Sequence, residues 1–156
     1  MSLALQTAEN LSKNTKQYCG FKVGNDFYAV PVLNIQEVIR PLNLTKVPLS
    51  EPSISGLINL RGQIVTSISL RELFGLENQY EFGFMNVIVH HQGSLVALMV
   101  DEIRDVMDLA SEGYEPTPET LDPNIKQFVS GVQKLDNEIL ILLDLEKIIK
   151  NTIDGN

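Results

Sequence analysis

Few side chains in this sequence stand in a pattern typical of catalysis or metal binding. His90 and His91 are adjacent, and neighbouring residues of a strand point to opposite faces, so they cannot chelate one ion together. The carboxylates of Asp101, Glu102 and Asp105 are explained equally well as solvated strand or turn residues. The sequence has no Gly-x-Ser-x-Gly nucleophile motif and no glycine-rich phosphate loop. We therefore expect a binding protein, not an enzyme, with no metal and no cofactor.

Arg61 stands out among the charged residues because it precedes Gly62 between two apolar runs. A turn pair of this kind connects the strands of a hairpin, where the glycine can adopt a positive φ. One interpretation is a solvated turn arginine, and composition alone favours it. The other is a guanidinium held by a rigid hairpin, which offers several donors to a carboxylate of this chain or of a partner.

Composition excludes several classes of protein. The chain has 156 residues, a net charge of -8 and only 12 scattered Lys and Arg residues, which argues against a nucleic-acid partner. No apolar run approaches the roughly 18 to 20 residues of a membrane span, and the N-terminus lacks a secretory pattern. Cys19 has no partner for an internal disulfide, and its alternating context predicts a small buried side chain. We expect a cytoplasmic protein without direct membrane insertion.

An internal repeat organises the chain. Residues 56–70 align without a gap on residues 131–145, with identities at Gly56/Gly131, Leu60/Leu135, Ile64/Ile139 and Leu70/Leu145. Residues 27–38 align in the same way on residues 95–106, with Ile35 over Ile103 and Val38 over Val106. The second half carries seven extra residues, which a Gly- and Pro-containing loop near 112–118 accounts for. Such a repeat predicts two structurally related halves.

The elements around these residues are mostly short strands. Alternating apolar patterns predict strands and hairpins, and a short helix follows each of the two aligned hairpins, at 71–75 and at 145–150. Many short strands with brief helices predict a mainly β fold of small barrels. We expect an N-terminal arm at 1–15, one repeated domain at 16–150 and a tail at 151–156.

The segment from Gly56 to Ile64, followed by Leu70-Arg71, resembles the Gly-x-x-Asn-x-Arg-Gly-x-Ile hallmark of the CheW-like chemotaxis coupling proteins. The resemblance covers about residues 16–150 in five segments that occur in order. It implies two small five-stranded SH3-like barrels that share a core. It also implies a non-enzymatic adaptor that couples the cytoplasmic tip of a chemoreceptor to the regulatory domain of a CheA-type histidine kinase.

The resemblance also assigns candidate partner-binding residues by position. The apolar and glycine positions near the receptor-facing groove are Ile35, Gly56, Val87, Ile103 and Val106, and the charged pair associated with coupling is Glu37 and Arg61. At strand spacing the apolar ones can equally be core residues. We predict that Arg61 is functional rather than structural, since the repeat places Asp136 at its position and the turn itself therefore requires no guanidinium. We expect Glu37 to be its intrachain partner.

The sequence departs from the family pattern at two positions. Thr66 and Ser69 stand where the family has Pro and Asp, and the repeat mate of Ser69 is Asp144. This departure puts the choice of partner in question and leaves the fold unaffected. Alternative functions are an adaptor of a related pilus or surface-motility pathway, or a small β-barrel ligand-binding protein or enzyme.

Overall fold

The computed structural model describes residues 15–48, 51–80 and 83–153, and it is built mainly from short strands. Eleven strands are assigned in these ranges: β1 Thr15–Val23, β2 Asp26–Pro31, β3 Ile35–Ile39, β4 Ile54–Leu60, β5 Gln63–Ser69, β6 Met85–His91, β7 Ser94–Val100, β8 Glu102–Ala110, β9 Tyr114–Glu115, β10 Val129–Lys134 and β11 Ile139–Leu143. The α-helices there are α1 Leu70–Leu73, α2 Pro123–Lys126 and α3 Leu145–Thr152, and short 3₁₀ helices lie at Val32–Asn34 and Ser111–Gly113. None of the helices in the described ranges combines the length and apolar character that crossing a membrane requires.

The strands form two sheets, and each sheet takes strands from both halves of the repeat. Barrel 1 has the order β8-β1-β2-β11-β10-β9, and barrel 2 has the order β3-β6-β7-β5-β4. The β1–β2 hairpin of the first half therefore pairs with β8 and β11 of the second half, while the β6–β7 hairpin pairs with β3 and β5. This confirms two barrels and adds that the halves are interleaved. Barrel 1 has a sixth strand because the two-residue β9 pairs with β10.

The register of pairing follows the repeat. In barrel 1, Ile141 of β11 lies opposite Tyr28 of β2 in a parallel pair. The equivalent residues of barrel 2, Thr66 of β5 and Val96 of β7, lie opposite each other in the same way. The parallel contact between β2 and β11 and that between β5 and β7 join the two halves of the repeat, together with the antiparallel contacts β1–β8 and β3–β6.

Two glycines and two helix starts confirm the predicted equivalence in detail. Gly56 in β4 and Gly131 in β10 each follow a bulge in the hairpin to which they belong. Leu70 and Leu145 each begin a helix directly after that hairpin. The same local sequence thus gives the same hairpin-to-helix unit in each half.

The residue before each of these helices is a cap. The Ser69 hydroxyl accepts a hydrogen bond from the Glu72 N–H at 3.2 Å, and the Asp144 carboxylate accepts one from the Lys147 N–H at 3.2 Å. Serine and aspartate are both favoured at this position because their oxygen satisfies a free N–H of the first turn. The departure at Ser69 therefore preserves the cap.

The apolar core lies between the barrels as well as inside each one. The largest cluster contains residues of both sheets, with Tyr28 stacked on Phe74 at a ring-centroid distance of 4.8 Å. A smaller cluster around Ile58 and Ile88 fills barrel 2, and another around Leu140 and Leu142 fills barrel 1. The shared core predicted from the family resemblance is confirmed.

The element boundaries differ from the sequence prediction in a few places. Ile35 and Val38 belong to strand β3. Helix α3 continues to Thr152, inside the predicted tail, and α2 was not predicted. Strand β1 begins at Thr15, while residues 1–14 of the expected arm and residues 154–156 of the expected tail lie outside the described residues.

Candidate functional site

A two-point ion pair on the exposed surface joins Arg61 to Glu37. Arg61 and Gly62 have φ values of 52° and 89°, which places both central residues of the β4–β5 turn in the conformation that two-residue hairpins favour. The Asn59 side-chain oxygen accepts a hydrogen bond from the Gly62 N–H at 2.7 Å and fixes this turn. The guanidinium thus projects from a rigid hairpin toward β3.

Both oxygens of the Glu37 carboxylate accept hydrogen bonds from Arg61. The Arg61 Nη1 to Glu37 Oε1 distance is 3.0 Å, and Nη2 bonds to Oε2. The predicted intrachain pair is confirmed. The side chain of Arg61 is 65% exposed and that of Glu37 is 25% exposed, so the pair remains accessible to a partner.

The hydrogen bond and the opposite charge perturb both groups in the expected directions. The hydrogen bond from Arg61 lowers the pKa of the Glu37 carboxyl, and the hydrogen bond to Glu37 raises the pKa of the Arg61 guanidinium. Both groups therefore stay charged around neutral pH. Exposed ion pairs contribute little to folding, because solvent screens them and ordering two long side chains opposes the attraction.

The pair occurs in one half of the repeat. The mate of Glu37 is Asp105 and the mate of Arg61 is Asp136, and both mates are exposed acidic residues. Because the second hairpin forms without a guanidinium, Arg61 is not required by the hairpin fold. This asymmetry makes Glu37 and Arg61 the strongest candidates for partner recognition.

The apolar candidates differ in their accessibility. Ile35 and Ile103 are partly buried against the central core, one from each barrel. Val106 is 59% exposed, and its side chain is available to a partner. Sequence reasoning missed Val38, which is also exposed. Its position as the repeat mate of Val106 was the signal that could have identified it.

Two candidates are corrected by the structure. Val87 has no exposed surface and belongs to the central core, because it faces the packed interior between the barrels, so it cannot be a surface contact. Gly56 is also buried, and a side chain added there would meet the Thr45 carbonyl oxygen at 2.6 Å. Its role is to let the backbone of Thr45 approach β4, where Thr45 and Leu57 exchange two hydrogen bonds of 2.8 Å.

The residues first considered for chemistry do not converge on a site. His90 is exposed and His91 is half-buried at the end of β6. Asp101 is not a solvated acid, because Arg71 binds it through two hydrogen bonds. Within the described ranges, no group of three or more metal-ligating side chains comes together. Cys19 is buried as predicted, and burial raises the pKa of its thiol, which disfavours the reactive thiolate.

Comparisons with known proteins agree with this geometry. The model of the CheW-like domain matches residues 17–152. The chain is 31% identical over 135 residues to a chemotaxis protein CheW of Helicobacter pylori, covering 86% of this chain and 81% of that protein. It is 29% identical to a chemotaxis protein CheW of Klebsiella aerogenes, covering 94% and 90%. The crystal structure of the scaffolding protein TtCheW from Thermoanaerobacter tengcongensis matches with a TM-score of 0.74 and 29% identity, covering 83% and 89%.

Proposed function

The chain belongs to the CheW-like family of chemotaxis scaffold proteins, and from this premise we propose that it is a non-enzymatic adaptor between two specific partners. The partners are the cytoplasmic tip of a chemoreceptor and the regulatory domain of a CheA-type histidine kinase. The adaptor works in the cytoplasm, where both partners present these parts.

The observation that carries this proposal is the exposed ion pair of Glu37 and Arg61. It links β3 to the β4–β5 hairpin, remains accessible, and is absent from the equivalent place in the second half. Paired charges at the rim of an interface fix the register of docking and tune the rate of association more than the affinity. We infer that the pair holds the edge of the receptor-binding surface in one arrangement, or exchanges its partner when a receptor or kinase docks.

Apolar residues supply the remainder of the interface in this proposal. Interfaces are centred on a few buried apolar anchors that become desolvated on binding. Val106 and Val38 are exposed and repeat-related, and Ile35 and Ile103 lie beside them in their strands, partly buried. The proposed contact surface therefore comprises β3 of barrel 2 and β8 of barrel 1.

A reconstituted receptor–kinase assay tests the role of the ion pair. Arg61→Ala and Glu37→Ala should each fold normally and reduce kinase activation, because the pair adds little to stability. Lys134→Ala is the matched control, since Lys134 forms an exposed ion pair with Glu115 at 3.2 Å, between two neighbouring strands of barrel 1. Wild-type activation by both ion-pair variants would refute the functional role, and a large loss of melting temperature would assign Arg61 to the fold.

Binding of a receptor fragment tests the apolar surface separately. Val106→Asp should leave the fold intact and weaken binding, because its side chain is exposed in the free protein. Ile35→Asp should weaken binding with some loss of stability, since Ile35 is partly buried. Val87→Asp is the contrasting variant, and it should unfold the protein because it places a charge in the core. Unchanged binding by Val106→Asp would remove β8 from the proposed contact surface.

A further inference from the structure

A partly shielded ion pair joins barrel 2 to the strand that enters barrel 1. Arg71 lies in α1, directly after β5 of barrel 2, and Asp101 lies between β7 of barrel 2 and β8 of barrel 1. The Arg71 Nε to Asp101 Oδ1 distance is 2.8 Å and the Nη2 to Oδ2 distance is 2.6 Å. The two side chains are only 15% and 19% exposed, whereas Arg61 of the surface pair is 65% exposed.

The Asp101 carboxylate also binds barrel 1 directly. Its Oδ2 accepts a hydrogen bond from the Gly24 N–H at 2.8 Å, in the turn between β1 and β2. The Asp101 N–H donates to the Lys22 carbonyl oxygen at 2.9 Å, at the end of β1. One carboxylate thus holds the helix of one barrel and the hairpin turn of the other.

Arg71 anchors the connection between α1 and β6 as well. Its Nη1 donates to the Glu77 carbonyl oxygen at 3.2 Å, and its backbone N–H donates to the Tyr80 hydroxyl at 3.3 Å. The Tyr80 hydroxyl in turn donates to the Met99 carbonyl oxygen at 2.8 Å, two residues before Asp101. The guanidinium is therefore fixed from several directions and cannot follow Asp101 freely.

The repeat supplies no equivalent of this contact on the other side of the molecule. The mate of Arg71 is Glu146, and the mate of Asp101 is Leu33, which is 89% exposed. The other junction therefore lacks the charges to form such a pair. Apolar contacts are non-directional, whereas a two-point arginine–carboxylate contact prescribes an orientation.

We propose that Arg71 and Asp101 are positioning residues that set the angle between the two barrels. The proposal rests on the function proposed above, because the contact surface there combines β3 of barrel 2 with β8 of barrel 1. A change in the angle would move Ile35 relative to Val106 without altering either residue. The ion pair would then control coupling although neither of its members touches a partner.

Distance measurements between the barrels test this proposal without any partner. Spin labels are attached to cysteines introduced at Gln63 in barrel 2 and Asn137 in barrel 1, both of which are exposed. Cys19 is buried and stays in place, with the labelled wild-type chain as the blank. Arg71→Gln removes the two-point contact of the guanidinium, and Asp101→Asn removes the charge but keeps an acceptor for Gly24. Glu115→Gln is the control, because it removes an exposed ion pair confined to barrel 1.

We expect Arg71→Gln and Asp101→Asn to broaden or shift the distance distribution, with Arg71→Lys intermediate and Glu115→Gln unchanged. The two variants should also bind the receptor fragment about fivefold more weakly or worse, the lower range of a typical coupling between sites. Unchanged distances in both variants would overturn the proposal, and so would global unfolding of both, which would assign the pair to stability. If the wild-type chain binds neither partner, the proposed function fails while the distances still report on the pair.

Discussion

Replacing Gly56 by alanine should strongly destabilise the protein, and the structure indicates why. Gly56 has a φ of 151°, which side chains rarely tolerate, and its Cβ would lie 2.6 Å from the Thr45 carbonyl oxygen. The backbone strain costs about 1 to 3 kcal/mol. Displacing a backbone segment to make room costs about 1 to 3 kcal/mol more. We therefore expect Gly56→Ala to lose roughly 2 to 6 kcal/mol of unfolding free energy by adding these two effects.

Substitutions at two further glycines separate the cost of backbone strain from the cost of a close contact. Gly93 has a φ of 82° with open space around its Cβ position, so Gly93→Ala should lose only the strain of about 1 to 2 kcal/mol. The third variant is Gly131→Ala, at the repeat mate of Gly56. The added Cβ would lie 2.4 Å from the ring of Tyr114, but this exposed side chain can rotate away. That rotation sacrifices the hydrogen bond from Tyr114 to the Ser130 carbonyl oxygen, worth about 1 kcal/mol.

Urea unfolding followed by circular dichroism measures all three variants, with equal m-values required for a valid comparison. Gly56→Ala should be the least stable of them. If it were no less stable than Gly93→Ala, the close approach of Thr45 would be energetically irrelevant. The account of Gly56 as a packing residue would then be wrong, and its place as a direct partner contact would have to be reconsidered.

Other predictions follow from buried hydroxyls, caps and charges. Tyr28→Phe should be neutral or should raise the free energy of unfolding by up to about 2 kcal/mol in thermal unfolding, because the buried hydroxyl has no hydrogen-bond partner in the described chain. Tyr80→Phe should lower the free energy of unfolding by about 1 kcal/mol, because it removes the hydrogen bonds of that hydroxyl. Ser69→Ala should lose about 0.5 to 2 kcal/mol of unfolding free energy, as should Asp144→Ala, if each oxygen acts as a cap. The pKa of Glu37 is depressed, so its stabilising contribution is present above the ordinary carboxyl pKa and is lost as the pH falls through the depressed value. An NMR titration of Glu37 measures this pKa. If Arg61→Ala left the pKa unchanged, the pairing would be contradicted.

The local elements of this fold are predictable because each depends on nearby residues. The turn at Arg61-Gly62, the paired hairpins and the helices that follow Ser69 and Asp144 all come from residue types at fixed spacing. The contact between Glu37 and Arg61 was also predictable, because the family resemblance singled out both residues. Val87 shows the limit of this reasoning, since strand periodicity does not reveal whether a face meets solvent or a second barrel.

The interleaving of the two halves could not be predicted from the repeat. A repeat requires each half to form the same local units, but it leaves open whether the β1–β2 hairpin pairs with its own half or with the other. The parallel pairs between β2 and β11 and between β5 and β7 form over long sequence separations. Their choice depends on burying the central core, to which both sheets contribute, and no local pattern specifies that packing.

The repeat nevertheless separates residues needed for folding from residues available for function. Each half forms the same hairpin-to-helix unit, so a feature that only one half possesses cannot be a general requirement of that unit. Glu37 and Arg61 are matched by two aspartates, and Arg71 and Asp101 are matched by Glu146 and an exposed Leu33. The first pair is exposed and the second joins the barrels, so they suit different tasks, recognition at the surface and alignment behind it. If both tasks serve coupling, combining Arg61→Ala with Asp101→Asn should impair kinase activation by the product of the two separate effects, because the two pairs share no hydrogen-bond partner.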